Sequence, residues 1–362
     1  MSSYYVWIQE YLGILLYSIE SISETLGARR PHRQQHSLSL REGREKLPQV
    51  DEHQHMWLVF HAAAVAFSLQ AGLHSVLAPN QRHRTAKTLM VADIPKVAVV
   101  TGGSGGIGLA CCHRLAARGL NIVIAYGKND ELAAAARSQL VDAHGVEVRL
   151  VGGDLTKDSS RDATVKAVFD DVDALGGNVS AFVHAAGFFH NQLLQNHFDG
   201  ACDTFEVYDA YQSIYPKAFV AFAEESLKRM GRGGRMVAIT NPGCNAVQTP
   251  RVGYDMPGQG KATMEFVVRM YAMRTAKRGI CVNAVSPAYT DTPEWDKARM
   301  AMGQGDMEKG RELLDAKMLS RSPVARWAAP DEIAQAVDFL CGEQSGLITG
   351  VSLPVDGGLH LV

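Results

Sequence analysis

From Lys96 to the end of the chain, short runs of β-branched and other apolar residues alternate with segments of helical spacing. Alternation at this spacing predicts parallel strands joined by helices. We therefore predict an α/β fold over residues 90–362, a single doubly wound domain with a seven-stranded parallel sheet. The segments that contain the predicted strands are KVAVVTGGSGGIG (96–108), NIVIAYG (121–127), VEVRLVGGD (146–154), SAFVHAAG (180–187), RMVAIT (235–240), ICVNAVSP (280–287) and GVSLPVDGG (350–358).

The first 89 residues differ in composition and form a predicted N-terminal extension with one or two apolar helices. Residues 4–19 are apolar but are interrupted by Gln9 and Glu10. Residues 28–55 are rich in Arg, His, Gln and Glu, which is typical of a flexible linker.

The apolar segment 57–79 holds 23 residues, enough to cross about 30 Å of hydrocarbon as a helix. Basic residues at 82–87 follow it and would keep the downstream domain on the cytosolic side of a membrane. His61, Gln70 and His74 interrupt it, and each is costly at the centre of a bilayer. Two alternatives to membrane association stay open: a packed amphipathic helix, or upstream sequence joined to a reading frame that begins at Met90.

The charge balance excludes a polyanion as the obvious partner. Lys and Arg together number 36 against 38 Asp and Glu, so no electrostatic footprint for nucleic acid is present. A small molecule is the expected partner. The six cysteines include no CxxC motif and no zinc spacing, so no metal site is predicted, and they fit a reducing, cytoplasmic location.

A glycine-rich segment, TGGSGGIG (101–108), lies between the first predicted strand and the first predicted helix. Glycines there let the backbone approach a pyrophosphate, whose charge is stabilised at the helix N-terminus. The candidate cofactor-binding residues are Gly102, Ser104, Gly106, Ile107 and Gly108.

The TGxxxGxG spacing resembles that of the short-chain dehydrogenase/reductase family, which has a Rossmann fold, and further motifs follow in the family's order. Asp154 and Leu155 stand where the family holds the adenine ring. HAAG (184–187) resembles the family's NNAG with both asparagines replaced, and its Ala186 and Gly187 are candidate cofactor contacts. Pro287 and Thr292 resemble the PGxxxT segment that contacts the carboxamide, and VDGG (355–358) resembles the C-terminal strand and turn. The resemblance implies a homodimer or homotetramer through helices near 215–230 and 258–278.

The choice between NAD(H) and NADP(H) depends on the end of the second strand. NAD-selective sites place a carboxylate there for the ribose 2′-hydroxyl. This chain has Tyr126 at that position, with Lys128 two residues further on. NADP(H) is therefore favoured over NAD(H), since Lys128 would attract a 2′-phosphate.

The catalytic segment departs from the family's usual Tyr-xxx-Lys. Lys261 is preceded at that interval by Pro257, and Tyr254 lies seven residues before the lysine. Tyr-x6-Lys resembles the enoyl-ACP reductase branch of the family. We expect the helix to begin near Pro257, with Tyr254 in the preceding loop.

The family's serine and helix asparagine are missing. The interval counted back from Tyr254 leads to Asn241 and the interval counted back from Lys261 leads to Cys244, while the region around Ser213 offers no asparagine. The amide of Asn241 can polarise a carbonyl. Cys244 has no activating base, so we interpret it as a wall residue.

These residues suggest an NADP(H)-dependent oxidoreductase that reduces an enone, enoyl or carbonyl group of a hydrophobic metabolite. Lys261 would hold the nicotinamide ribose and lower the pKa of the Tyr254 phenol, and Tyr254 would act as acid or oxyanion stabiliser. The alternatives are an ordinary alcohol dehydrogenase or ketoreductase, and a cofactor-binding pseudoenzyme or non-redox enzyme. The substrate loop is expected between Thr292 and Pro330, with apolar candidates at Trp295, Met300, Met302, Met307, Leu313, Leu314, Met318, Leu319 and Trp327.

Overall fold

The computed structural model describes residues 96–187, 205–245, 248–250 and 254–362. The predicted extension, with its linker and its segment 57–79, lies outside these residues. Within the described part of the chain, no helix is both long enough and apolar enough to cross a membrane.

Seven parallel strands form one sheet in the order β3-β2-β1-β4-β5-β6-β7. The predicted doubly wound fold with a seven-stranded parallel sheet is therefore confirmed. The chain runs outwards from β1 through β2 to β3, and then crosses back to β4 on the other side of β1. This reversal opens a crevice at the carboxyl ends of β1 and β4, where ligands of such folds bind. The strands are β1 Lys96–Thr101, β2 Asn121–Tyr126, β3 Val148–Gly152, β4 Asn178–His184, β5 Arg235–Ile239, β6 Cys281–Pro287 and β7 Ser352–Val355.

Helices cover both faces of the sheet. They are α1 Gly106–Ala116, α2 Asp130–His144, α3 Asp158–Ala174, α4 Glu206–Gln212, α5 Ala218–Arg229, α6 Asp255–Thr275, α7 Asp296–Met302, α8 Met307–Leu319 and α9 Pro330–Cys341. Successive residues of a strand point to opposite faces, so each face of the sheet has its own core. Val97 and Val99 of β1 face the core under α3, α5 and α6, while Ala98 and Val100 face the core under α1 and α9.

A single π-helical turn, Ser213–Lys217, joins α4 to α5 and is called the π-turn below. Pro216 lies inside it and has no backbone N–H to donate. The amide of Ala218, which would bond to the carbonyl of Ile214 in a regular α-helix, bonds to the carbonyls of Ser213 and Tyr215. The carbonyl of Ile214 is therefore available to another partner, and such turns are frequent at functional sites.

Helix α6 begins at Asp255, with Tyr254 as its N-cap. This start is two residues before the one expected near Pro257, and Tyr254 itself lies outside the helix as expected. The amide of Gly258 makes the first helical bond, donating to the carbonyl of Tyr254 over 2.8 Å. Pro257 precedes that amide, where helical residues have no intrahelical acceptor and a missing N–H costs nothing. Tyr254 is thus fixed at the helix end.

Candidate active site

A cleft of 1590 Å³ opens at the carboxyl edge of the sheet. It brings together residues from all the predicted motifs except VDGG (355–358). All the predicted site residues line it: Gly102, Ser104, Gly106, Ile107, Gly108, Tyr126, Lys128, Asp154, Leu155, Ala186, Gly187, Asn241, Tyr254, Lys261, Pro287 and Thr292. Their individual roles remain predictions.

The glycine-rich loop forms one end of the cleft and has no room for side chains. A Cβ on Gly108 would lie 2.1 Å from the carbonyl oxygen of Gly102. Gly102 has φ +70°, and a Cβ there would lie 2.8 Å from the carbonyl oxygen of Ala185. A Cβ on Gly106 would lie 3.2 Å from Thr292, which follows β6 in the sequence. This bare backbone at the start of α1 fits the pyrophosphate of a dinucleotide.

The end of β2 carries no carboxylate of its own. The Tyr126 hydroxyl donates to Asp130 at the start of α2, over 2.8 Å. The ammonium of Lys128 lies 3.6 Å from a carboxylate oxygen of Asp154, and its side chain is 84% exposed. A hydrogen bond from Thr156 lowers the pKa of Asp154, and the charge of Lys128 adds to this effect. Asp154 therefore holds an exposed cation near the end of β2.

Lys261 is buried in the wall of the cleft. Its ammonium donates to the backbone carbonyl of Thr240 over 3.0 Å and lies 5.1 Å from the centre of the Tyr215 ring. Burial lowers the pKa of Lys261 to about 8, while Cys244 and Glu265 oppose that shift. The lysine is thus oriented by the protein itself.

Tyr254 is half-buried, and its ring packs against Gly258. The expectation that Lys261 lowers the pKa of this phenol was wrong. Burial raises the pKa of Tyr254 well above its ordinary value, and the neighbouring Tyr215 adds to the rise. The ammonium of Lys261 is committed to Thr240 and to the Tyr215 ring. Tyr254 is therefore a neutral phenol at physiological pH, able to donate a proton.

The two candidates for the missing serine lie in different positions. Asn241 lines the cleft at the end of β5. Cys244 is buried and is not among the lining residues, so its expected place in the wall was wrong. The turn after β5 directs it into the protein, and the Gly243 amide in that turn donates to Gln248 over 2.7 Å.

The substrate loop contributes only part of its predicted apolar set. Trp295, Met302, Leu314 and Met318 line the cleft. Met300, Met307 and Leu313 are exposed. Trp327 packs edge-on against Trp295, with ring centres 5.2 Å apart. These four residues that line the cleft give it apolar, polarisable surface, which suits a hydrophobic substrate. The same loop also adds charged side chains to the lining: Glu294, Lys297, Lys317 and Arg321.

Sequence reasoning missed Tyr211 and Tyr215, two buried aromatic residues that line the cleft from α4 and the π-turn. Their rings are stacked, with centres 5.8 Å apart and planes 11° apart. The sequence did contain a signal for this region: Pro216 falls within a stretch of helical spacing. A proline interrupts a helix and leaves backbone carbonyls without their helical partners.

The chain is similar to known proteins over most of its described residues. Residues 102–360 match the family described as Enoyl-(Acyl carrier protein) reductase. A 1-cyclohexenylcarbonyl-CoA reductase of Streptomyces collinus is 33% identical over 276 residues, covering 75% of this chain and 89% of that protein. An acetoacetyl-CoA reductase of Allochromatium vinosum is 27% identical, covering 74% and 99%.

Solved structures share the fold. L-sorbose reductase from Gluconobacter frateurii, complexed with NADPH and L-sorbose, superposes with a TM-score of 0.65 at 26% identity, covering 74% of this chain and 97% of that one. A short-chain dehydrogenase from Burkholderia cenocepacia in complex with NADP gives a TM-score of 0.61 at 28% identity, covering 74% and 98%. The chain therefore belongs to the short-chain dehydrogenase/reductase family of oxidoreductases.

Proposed function

We propose that this protein is an NADP(H)-dependent oxidoreductase that reduces an enone, enoyl or carbonyl group of a hydrophobic metabolite. The observation that carries the proposal is that Tyr254 and a buried Lys261 line the same cleft as the glycine-rich loop. An acid, a cation and a dinucleotide cradle in one cleft match what hydride-transfer chemistry requires of a protein.

The chain's own residues fit the cofactor. The loop Gly102–Gly108 would hold the pyrophosphate at the start of α1, Asp154 and Leu155 would contact the adenine, and Lys261 would hold the nicotinamide ribose. Bound NADPH supplies the hydride. The choice of NADP(H) is supported by Lys128 at the end of β2, and by the relatives whose structures contain NADP or NADPH.

Tyr254 handles the proton in this proposal. Its phenol is neutral because burial raises its pKa, so it can hydrogen-bond the substrate oxygen and stabilise the negative charge that develops there. In carbonyl reduction the phenol gives its proton to the alkoxide. In enoyl reduction it stabilises the enolate. The Asn241 amide at the same wall can donate a second hydrogen bond.

Reduction of an activated double bond fits the missing serine better, because an enolate can be protonated at carbon by water. The name of the Streptomyces collinus relative points to a conjugated thioester, and that of the Allochromatium vinosum relative to a 3-ketone thioester. An ordinary ketoreductase is therefore the second candidate.

The experiment is a paired assay of the full chain with NADPH. The N-acetylcysteamine thioesters of 1-cyclohexenecarboxylate and of acetoacetate present the two reducible groups on the same small handle. We expect NADPH consumption with at least one of them, and loss of that consumption in Tyr254→Phe. Consumption with neither thioester and with no ketone of a wider panel would favour the pseudoenzyme alternative.

We also propose that the chain forms a homo-oligomer through α6. Phe266, Met270 and Met273 are 56%, 51% and 78% exposed. Their spacing of four and three residues places them on one face of the helix. An exposed apolar stripe on a helix supports burial against a second copy.

The remaining parts of the proposal concern the whole chain. We propose that residues 90–362 form the catalytic domain and work in the cytoplasm, and that the segment 57–79 associates with a membrane. The cysteines of the described residues are free thiols, which supports a reducing compartment. A chain that starts at residue 90 should bind NADPH as tightly as the full chain, and only the full chain should bind lipid vesicles.

A further inference from the structure

His184 is a fully buried imidazole in a position where the family resemblance offers an asparagine, and the mechanism above gives it no role. It is the last residue of β4, directly before the cleft-lining segment 185–187. A buried titratable side chain that touches neither cofactor nor substrate needs a structural reason.

Its two ring nitrogens have different partners, and the partners identify the tautomer. Nε2 lies 2.9 Å from the carbonyl oxygen of Ile214, which can only accept, so Nε2 carries the hydrogen. Nδ1 lies 2.8 Å from the Thr101 hydroxyl and accepts its proton. That hydroxyl in turn accepts from the Ala186 amide over 3.2 Å. Burial lowers the pKa of His184 to about 4, so the ring stays neutral.

The carbonyl that His184 binds is the one that the π-turn makes available. In this turn the amide of Ala218 bonds to Ser213 and Tyr215 instead of Ile214. The opposite side of the turn is held by Ser213, whose hydroxyl donates to the carbonyl of Leu155 over 2.9 Å. The π-turn is therefore fixed from β4 on one side and from the adenine end of the cleft on the other.

The residue after Ile214 is Tyr215, and its ring face supports the ammonium of Lys261 at 5.1 Å. Tyr211 stacks on the same ring and fixes its plane. An ammonium over an aromatic face is stabilised by the ring quadrupole. The contacts therefore run without a break from Thr101 through His184 and the π-turn to Lys261.

We propose that His184 and Tyr215 are positioning residues for Lys261: His184 holds the π-turn by the carbonyl of Ile214, and the Tyr215 ring holds the Lys261 ammonium in place. The inference rests on the proposed role of Lys261 in the cofactor site. The aromatic ring of Tyr215, and not its hydroxyl group, holds the Lys261 ammonium.

The test follows the ionisation of Lys261 directly, by NMR titration of protein labelled with ¹³C at the lysine ε carbons. Lys261→Met identifies the resonance. The titratable groups that interact with this ammonium are Glu265 on α6, Cys244 after β5, His184 on β4 and Tyr215 in the π-turn. Each variant replaces only one of them.

Tyr215→Phe keeps the ring face and Tyr215→Leu removes it. We expect Lys261 to titrate in Tyr215→Phe as in the unaltered protein. In Tyr215→Leu its pKa falls by roughly 0.5 to 1.5 pH units, because the charged form loses its aromatic support. An equal fall in both variants, or a fall in neither, would overturn the proposal.

His184→Gln keeps one donor and one acceptor, whereas His184→Phe keeps the ring volume and neither function. We expect the pKa of Lys261 to fall in His184→Phe and to return in His184→Gln. If circular dichroism shows that His184→Phe is unfolded, His184→Asn, which is too short to reach Ile214, replaces it. An unchanged titration in the folded variant would overturn the role of His184. The titration needs no substrate, so an inactive enzyme would contradict the proposed function without changing this result.

Discussion

The ammonium nitrogen of Lys261 lies 3.0 Å from the backbone oxygen of Thr240 and donates to it. The bond joins helix α6 to the residue that follows β5, so the lysine is fixed by the sheet itself. A cation that the protein already holds in place needs no reorganisation during the reaction, so less free energy is spent on ordering it at each turnover. Tyr254, at the N-cap of the same helix, shares this support.

Replacing Tyr254 by Phe should abolish most of the turnover without harming the cofactor site. We expect kcat to fall by about 10²- to 10⁴-fold, because a positioned acid contributes that much. NADPH affinity, measured by fluorescence, should stay within about threefold, since the proposed role of the phenol is to contact the substrate oxygen. Unchanged turnover would assign the proton donor to another group.

The pH dependence of turnover should follow Lys261. Burial lowers its pKa to about 8, and the proposed role needs the ammonium. Activity should therefore be constant below that pH and fall as pH rises through it. The profile of kcat/KM measures this pKa in the free enzyme. Full activity maintained well above pH 10, where the lysine is neutral, would contradict the assigned charge.

The sequence predicted the strands well because parallel strands buried on both faces are continuous apolar runs. β5, for example, is buried throughout. The glycine-rich loop was equally clear, because its constraint is local: Gly108 contacts the backbone only six residues away. The support of Lys261 by Tyr215 was not predictable. It depends on residues 46 positions apart in the sequence, which only the packed fold brings together. The pKa of Tyr254 was predicted in the wrong direction because burial, which the sequence does not give, raises it, and the neighbouring Tyr215 adds to the rise.

Gly108→Ala should destroy cofactor binding. The new Cβ would lie 2.1 Å from the carbonyl oxygen of Gly102, so the loop must move out of its present path. We expect NADPH affinity to fall by at least about 100-fold, because the pyrophosphate loses its backbone amides. Gly231→Ala is the matched control, since a Cβ there meets nothing within 4 Å. Equal NADPH affinity in Gly108→Ala and Gly231→Ala would show that the loop does not bind the cofactor.

Lys128→Glu should weaken selection for the 2′-phosphate. The exposed ammonium near Asp154 becomes a second carboxylate at the end of β2. We expect NADPH affinity to fall by about tenfold, or ~1.4 kcal/mol, while NADH affinity changes by less than about threefold. Titrations with both cofactors give the ratio. An equal loss of affinity for NADPH and NADH would show that Lys128 does not select for the 2′-phosphate.

Met273→Glu should dissociate the proposed oligomer. The side chain is 78% exposed on the apolar stripe of α6, and burying a carboxylate against a second copy is costly. Sedimentation velocity should show a smaller species, with the circular dichroism spectrum unchanged. Val141→Glu on α2, an exposed apolar position outside the stripe, serves as the control. The same species for Met273→Glu and the unaltered protein would exclude this face as the interface.

The most direct test of the central claim is a fluorescence titration of the full chain with NADPH and, separately, with NADH. We expect NADPH to bind, and to bind at least about tenfold more tightly than NADH, because Lys128 favours a 2′-phosphate and no carboxylate ends β2. Binding of neither cofactor would contradict the proposed function, since the glycine-rich loop would then hold no dinucleotide.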